Sequence, residues 1–197
     1  MSDTFGLYDV ILADPPWHFQ NWNGAPGALT PGQQRRSNAQ SHYATMSNED
    51  IYSLMIPAAD NSVLFLWACW PLLPEAMRTI DAWGFEYKTL AWEWVKSNPS
   101  GMGHHMGMGY WTRANSEPCL LATRGKGLKR AAMDVLALIY SPVREHSRKP
   151  DEQYGKIERL FPNARKLEMF ARRRWPGWDV FGNQVADSIA LAGEVWE

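Results

Sequence analysis

Cysteine is scarce in this chain: 197 residues hold only Cys69 and Cys119, and neither has a C-x-x-C partner. That argues against a disulfide framework and against a zinc knuckle. Long apolar runs are missing as well; none approaches the ~18 residues a helical membrane span needs. The N-terminal "MSDTFGLYDV" has no basic flank leading into an apolar stretch. Neither a membrane span nor a secretory signal is therefore expected, and the reducing cytoplasm is the default location. A strong excess of one charge is also missing, since the net charge is −1. No internal repeat is visible.

What is present reads as one globular domain, with 45% hydrophobic and 21% charged residues. The near-zero net charge hides an asymmetry. Residues 1–97 carry 5 Lys/Arg against 10 Asp/Glu, whereas residues 113–174 carry 15 against 7. The basic half is either a face that holds phosphates or an ordinary solvated surface, and composition does not choose between them. Eleven Trp residues serve packing for the most part, with a few available to stack on bases.

Apolar, β-branched runs mark strands at 8–14, 62–69, 85–95, 119–125, 134–141, 165–171 and 178–182. Helices are predicted from Ser47, an N-cap followed by acidic residues, over 71–84 with Gly84 past its end, and over 150–161. Residues 18–42 form a long polar loop, and 97–112 form a second, glycine-rich one. Strands alternating with amphipathic helices imply an α/β domain with a mostly parallel sheet and helices on both faces. Ligands in such sheets bind beyond the carboxyl ends of the strands. Asp14 and the segment "ARRRW" both fall at such ends.

The stretch "ILADPPWHF" carries the sharpest chemistry. Asp at a strand end is commonly a turn or capping residue. Two following prolines weaken that reading, because Pro15 and Pro16 lack N–H groups and fix φ, leaving the carbonyls of Asp14 and Pro15 facing outward. A carboxylate beside rigid acceptors suits a ligand that donates two hydrogens from one atom, such as the amino group of adenine. Trp17 is expected to supply an apolar wall or stacking face.

D-P-P-W, followed in order by "HYATMSNEDI", "LFLWA", "WVKSN", "SEPCLLATRGK", "HSRKPDEQYGKIERLFPNARKLEMFARR" and "GWDVFGNQ", resembles the family of adenine-N6 nucleic-acid methyltransferases. That family is typified by the catalytic subunit of the eukaryotic mRNA adenine methyltransferase, and this chain looks like a compact bacterial or phage form of it. The resemblance spans roughly residues 8–184. It implies a Rossmann-like methyltransferase domain in permuted order, with the catalytic motif N-terminal and the cofactor strand C-terminal. It further implies S-adenosylmethionine as cofactor and the adenine 6-amino group as acceptor.

By the same resemblance, Asp14 and the Pro15 carbonyl accept from the amino group, and Tyr43 lines the acceptor-base side. Lys149 pairs with the cofactor's carboxylate, Glu168 bonds its ribose hydroxyls, and Phe170 packs on its adenine. Arg172, Arg174, Asn183 and Gln184 complete that pocket. There is no G-x-G loop after the cofactor strand, and Arg174 stands where relatives often have histidine. Larger relatives use an acidic segment upstream of the first strand to help hold the cofactor's adenine; here backbone groups near Ala13 are expected to serve.

For the nucleic acid, Arg124, Lys126, Lys129 and Arg130 are candidate phosphate contacts, an ordinary solvated turn being the alternative. DNA is the first choice of substrate and RNA the second. A non-catalytic nucleic-acid-binding subunit would not need both Asp14 and Lys149 intact. A metal site at "GMGHHMGMG" is disfavoured because His104 and His105 point apart in an extended chain. Residues 97–112 are expected either to form a homodimer or partner-subunit interface or to stay mobile.

Overall fold

The computed structural model describes residues 7–17, 46–107, 109, 111–145, 147–189 and 191. Tyr43 and the whole 18–42 loop lie outside these residues. The described chain forms one seven-stranded sheet: β1 (Tyr8–Ala13), β2 (Ala58–Trp67), β3 (Glu86–Ser97), β4 (Ser116–Arg124), β5 (Leu138–Pro142), β6 (Lys166–Met169) and β7 (Asp179–Phe181), in the spatial order β5-β3-β4-β2-β1-β6-β7. Helix α1 (Asn48–Ser53) opens on Ser47, whose side chain accepts from the Asp50 N–H. A short 3-10 turn (Trp70–Leu72) leads into α2 (Leu73–Ala82), and Gly84 follows with φ 72°. Helix α3 spans Glu152–Leu160.

The period-2 pattern of the strands decides where the helices sit. Ile11 and Ala13 of β1, with Leu64 and Leu66 of β2, join a core that includes Ile51, Ala76 and Ile80 of α1 and α2. Val10, Leu12, Val63, Phe65 and Trp67 point the other way and pack with Tyr154 and Ile157 of α3. Helices therefore cover both faces, and the sheet is mostly parallel.

Strand β4 is the exception, antiparallel to both β2 and β3. Element ends also shift from the sequence reading, and two of the shifts have a visible cause. Residues 134–137 do not join β5: Asp134 pairs with Arg159, and the Leu136 carbonyl accepts from Lys156, so this segment lies against α3. β6 stops at Met169 because Phe170 turns into the left-handed region, at φ 62°.

β1 sits between β2 and β6, parallel to both. The chain leaves β1 toward β2 and leaves β6 toward β7, in opposite directions. This makes the β1/β6 boundary a topological switch point, where open α/β sheets leave a crevice beyond their carboxyl ends. Among the described residues no helix is long and apolar enough to cross a membrane.

Candidate active site

At that boundary lies a cleft of about 290 Å³, lined by Asp14, Trp67, Lys149, Tyr154, Glu168 and Phe170 among others. Strand register explains the grouping. Leu12 pairs with Glu168 and Ala13 with Met169, so Asp14 follows β1 next to the turn at Phe170 that ends β6. Phe170 and Ser147 are the two non-glycine residues with positive φ among those described, and both line the cleft. Left-handed backbone at such residues costs on the order of 1–3 kcal/mol, and strain of this kind clusters at functional sites.

Asp14 is held by Lys149, whose Nζ donates to both carboxylate oxygens at 2.8 Å. The Lys149 side chain is only 9% exposed. Its ammonium also lies 3.4 Å from Glu117 Oε2 and 5.5 Å from the centroid of the Trp67 ring. Glu117 Oε1 in turn accepts from Lys96 at 2.5 Å. The four side chains thus alternate in charge, Lys96, Glu117, Lys149, Asp14. Burial opposes the Lys149 charge, but Asp14 and Glu117 outweigh it and raise its pKa above the ordinary lysine value. Burial likewise opposes the charge on Glu117, and Lys149 and Lys96 overcome it to hold its carboxyl below the usual range.

The second half of the cleft is built on Glu168. Its carboxylate accepts from the Tyr154 hydroxyl, 3.0 Å from each oxygen. Burial pushes Glu168 up to about 7, the Tyr154 hydrogen bond works against that rise, and the Asp14 charge adds to it. Tyr154 is fixed by stacking on Trp175, with centroids 4.1 Å apart. Beside it, Asp151 is held by Arg144 at 2.8 Å and also accepts from Arg173. Arg144, together with Arg173 and against the opposing effect of burial, keeps the Asp151 carboxyl down at about 2. Asp151 precedes α3 yet makes no capping bond to it, because the arginines use its oxygens.

Several expected residues fall elsewhere. Trp17 is 6% exposed, packs in the core on the α1/α2 side, and donates its indole N–H to the Trp67 carbonyl at 3.2 Å. It anchors the proline turn instead of walling a base pocket. The Pro15 carbonyl, expected to face outward without a local partner, accepts the Trp17 N–H at 2.8 Å, and the Pro16 carbonyl accepts from Met46. Ala13 is fully buried and does not line the cleft. Arg172 and Gln184 do line it, while Asn183 and Arg174 do not. Arg174 instead donates to Ser188 Oγ and the Ala186 carbonyl, tying down the segment after β7.

Arg124, Lys126, Lys129 and Arg130 are not brought to the cleft. Because β4 runs backwards, Arg124 pairs with Ser62, whereas the cleft residue Trp67 pairs with Cys119. Five residues at ~3.3 Å each put Arg124 about 16 Å away along the sheet. Residues 126–130 continue from there to Ala131, whose N–H reaches the Leu160 carbonyl at the far end of α3. Arg124 itself donates to the carbonyls of Ala58, Trp83 and Gly84 and lies over the Phe85 ring. Arg124→Met is accordingly expected to cost about 2 kcal/mol of stability in urea unfolding with nucleic-acid retention in a gel shift unchanged. Normal stability with weakened retention would instead support the phosphate role.

The start of the glycine-rich loop is folded. Ser97 bridges to His104, the Gly101 N–H donates to the Asn98 carbonyl, and His104 meets the Tyr140 ring edge-on. No metal-binding cluster occurs among the described residues, and both cysteines are free thiols. Glu117 and Tyr154 were missed by the sequence reading. Glu117 had a usable signal, a carboxylate inside the strand "SEPCLLATR", where an unpaired charge would be costly.

The MT-A70 family model matches residues 8–184. The chain is 32% identical to the type II methyltransferase M.MunI of a Mycoplasma species, over 96% of this chain and 84% of that protein. It is also 32% identical to the human N(6)-adenosine-methyltransferase catalytic subunit METTL3, over 94% of this chain. An Arabidopsis thaliana MT-A70-like N(6)-adenosine-methyltransferase matches at 30% over 98% of this chain. The chain spans only 29% and 26% of these two eukaryotic relatives.

Proposed function

The chain belongs to the MT-A70 family, and from that premise we propose that it transfers a methyl group from S-adenosylmethionine to the 6-amino group of adenine in DNA. The observation that carries this reading is the shared cleft, with Asp14 after β1 on one side and Glu168 in β6 on the other. One carboxylate serves the acceptor and the other the cofactor.

The residues present fit that cofactor. Glu168 is a half-buried carboxylate that lines the cleft, an acceptor suited to the two ribose hydroxyls, with Gln184 nearby. Phe170 offers an apolar face for the purine, and Arg172 gives a cationic side for the carboxylate, Lys149 being engaged by Asp14 rather than free for it as the resemblance implies. Bound there, the cofactor supplies an electrophilic methyl group on a sulfonium sulfur.

The acceptor chemistry belongs to the chain's own groups. Asp14 accepts a hydrogen bond from the adenine amino group, and the Pro15 carbonyl has a second lone pair for the same nitrogen. Drawing both N–H bonds toward fixed acceptors frees the nitrogen lone pair from the ring, which is the electronic demand of attack. The proline turn, anchored through Trp17, keeps those acceptors in place before the base arrives. An adenine in a duplex must leave its stack to reach Asp14, at a cost of a few kcal/mol.

DNA is favoured by the type II methyltransferase relative, which the chain spans over 84% of its length. The N(6)-adenosine-methyltransferases, spanned over less than a third, favour RNA as the second reading. Incubation of both polymers with methyl-labelled cofactor tests this. Label in N6-methyladenine of DNA is the expected result, and label confined to RNA would move the proposal to the second reading.

A further inference from the structure

Lys149 presents a difficulty for the acceptor chemistry. Its ammonium occupies both oxygens of Asp14, the carboxylate that has to receive the incoming amino group. A cation so placed competes for the lone pairs the amine needs. Another acceptor stands beside the ammonium, behind the residues that line the cleft. Glu117 Oε2 is buried and makes no hydrogen bond, while facing the same ammonium at 3.4 Å. Its sister oxygen is already taken by Lys96 at 2.5 Å, so Glu117 is fixed in place with one oxygen in reserve.

We propose that Glu117 is a positioning residue that receives the Lys149 ammonium when Asp14 turns to the acceptor amine. This rests on the proposed adenine methyl transfer and adds a residue to it. The displacement needed is small: closing the 3.4 Å separation to the 2.8 Å of the existing bonds moves Nζ by well under a bond length. Two lysines and two carboxylates sum to zero charge, so the exchange leaves no net charge buried. Lys149 stays paired throughout, as an ammonium that is 9% exposed must. The Trp67 ring face 5.5 Å away offers the cation a further favourable surface. Lys96 holds Glu117 against rotation, and its backbone ties it to the folded loop, since the His105 N–H donates to the Lys96 carbonyl.

The test compares Glu117→Gln and Lys96→Met with the unaltered chain. Gln keeps the shape and an oxygen but cannot hold an ammonium as a counter-charge. Glu117→Gln is expected to lower kcat by about tenfold or more, the scale of one charge-assisted contact. Its KM for the nucleic acid and its cofactor Kd by calorimetry should stay within about threefold. Lys96→Met frees Glu117 to rotate and unbalances the buried charges, so it should lower kcat in the same direction, by about threefold or more, with cofactor Kd again within about threefold. A Glu117→Gln enzyme with kcat within about twofold of the unaltered chain overturns the inference alone. So does a parallel loss of kcat and cofactor binding, which is the mark of a merely structural ion pair. An unaltered chain that methylates no adenine polymer overturns the functional reading and this inference with it.

Discussion

Asp14→Asn is expected to reduce methyl transfer by about a thousandfold or more, the upper end for deleting one preorganised charge-stabilising group, with cofactor Kd within about threefold. Asn keeps the shape of Asp but turns one acceptor oxygen into an N–H₂ donor. In the cleft that donor meets the Lys149 ammonium and the adenine amine, both donors themselves. The acceptor nitrogen then loses the group that frees its lone pair, while Glu168 and Phe170 remain on their own side of the cleft. Breaking a buried ion pair by removing one partner costs about 3–5 kcal/mol when the other is left alone. Here the loss should be smaller, because Glu117 already stands 3.4 Å from the stranded ammonium. Turnover and calorimetry on the folded variant check this, and unchanged turnover would refute the role of Asp14.

Glu168→Gln is expected to stabilise the protein while weakening its cofactor. A carboxyl whose folded pKa is raised binds its proton more tightly in the folded than in the unfolded state, so stability falls as pH rises. The penalty is absent well below the ordinary glutamate value, grows up to about pH 7, and is complete above it. Gln removes it, and Tyr154 can still donate to the amide oxygen. The variant should therefore gain about 3 kcal/mol at pH 8 and under about 1 kcal/mol at pH 5, as upper estimates.

Cofactor affinity moves the other way, by about tenfold to a hundredfold at pH 8, as charge-assisted bonds to two hydroxyls are lost. For the unaltered chain, affinity should fall as pH drops through about 7, where Glu168 takes up its proton. Denaturant unfolding and calorimetry at the two pH values separate these effects. A variant that loses stability and keeps its affinity would make Glu168 a structural residue.

Glu168 was legible through the family resemblance, whereas Asp14 was legible for a local reason, since it ends an apolar run before two prolines. Ser47 was readable in the same way, as a hydroxyl ahead of acidic residues and an apolar helix face. What was not legible depends on partners distant in the chain. Lys149 meets Asp14 across 135 positions, and no pattern near either announces that contact. The direction of β4 is set by its pairing with β2 and β3, and that single reversal carries Arg124 to the far end of the sheet. Trp17 looked like a stacking surface because it follows the Asp14-Pro15-Pro16 acceptors directly, and the Trp67 carbonyl that captures its indole N–H comes from β2. Tyr154 falls inside the helix predicted over 150–161, where its ring packs in the core. Its hydroxyl becomes functional only because β6 lies under it.

The central claim is adenine-N6 methyl transfer to DNA through Asp14. Nucleoside mass spectrometry of genomic DNA from cells expressing the chain, beside cells expressing Asp14→Ala, tests it most directly. N6-methyladenine above background with the unaltered chain and none with the variant is the expected result. Equal levels in the two samples, or a methyl group found only on RNA or on another base, would contradict it.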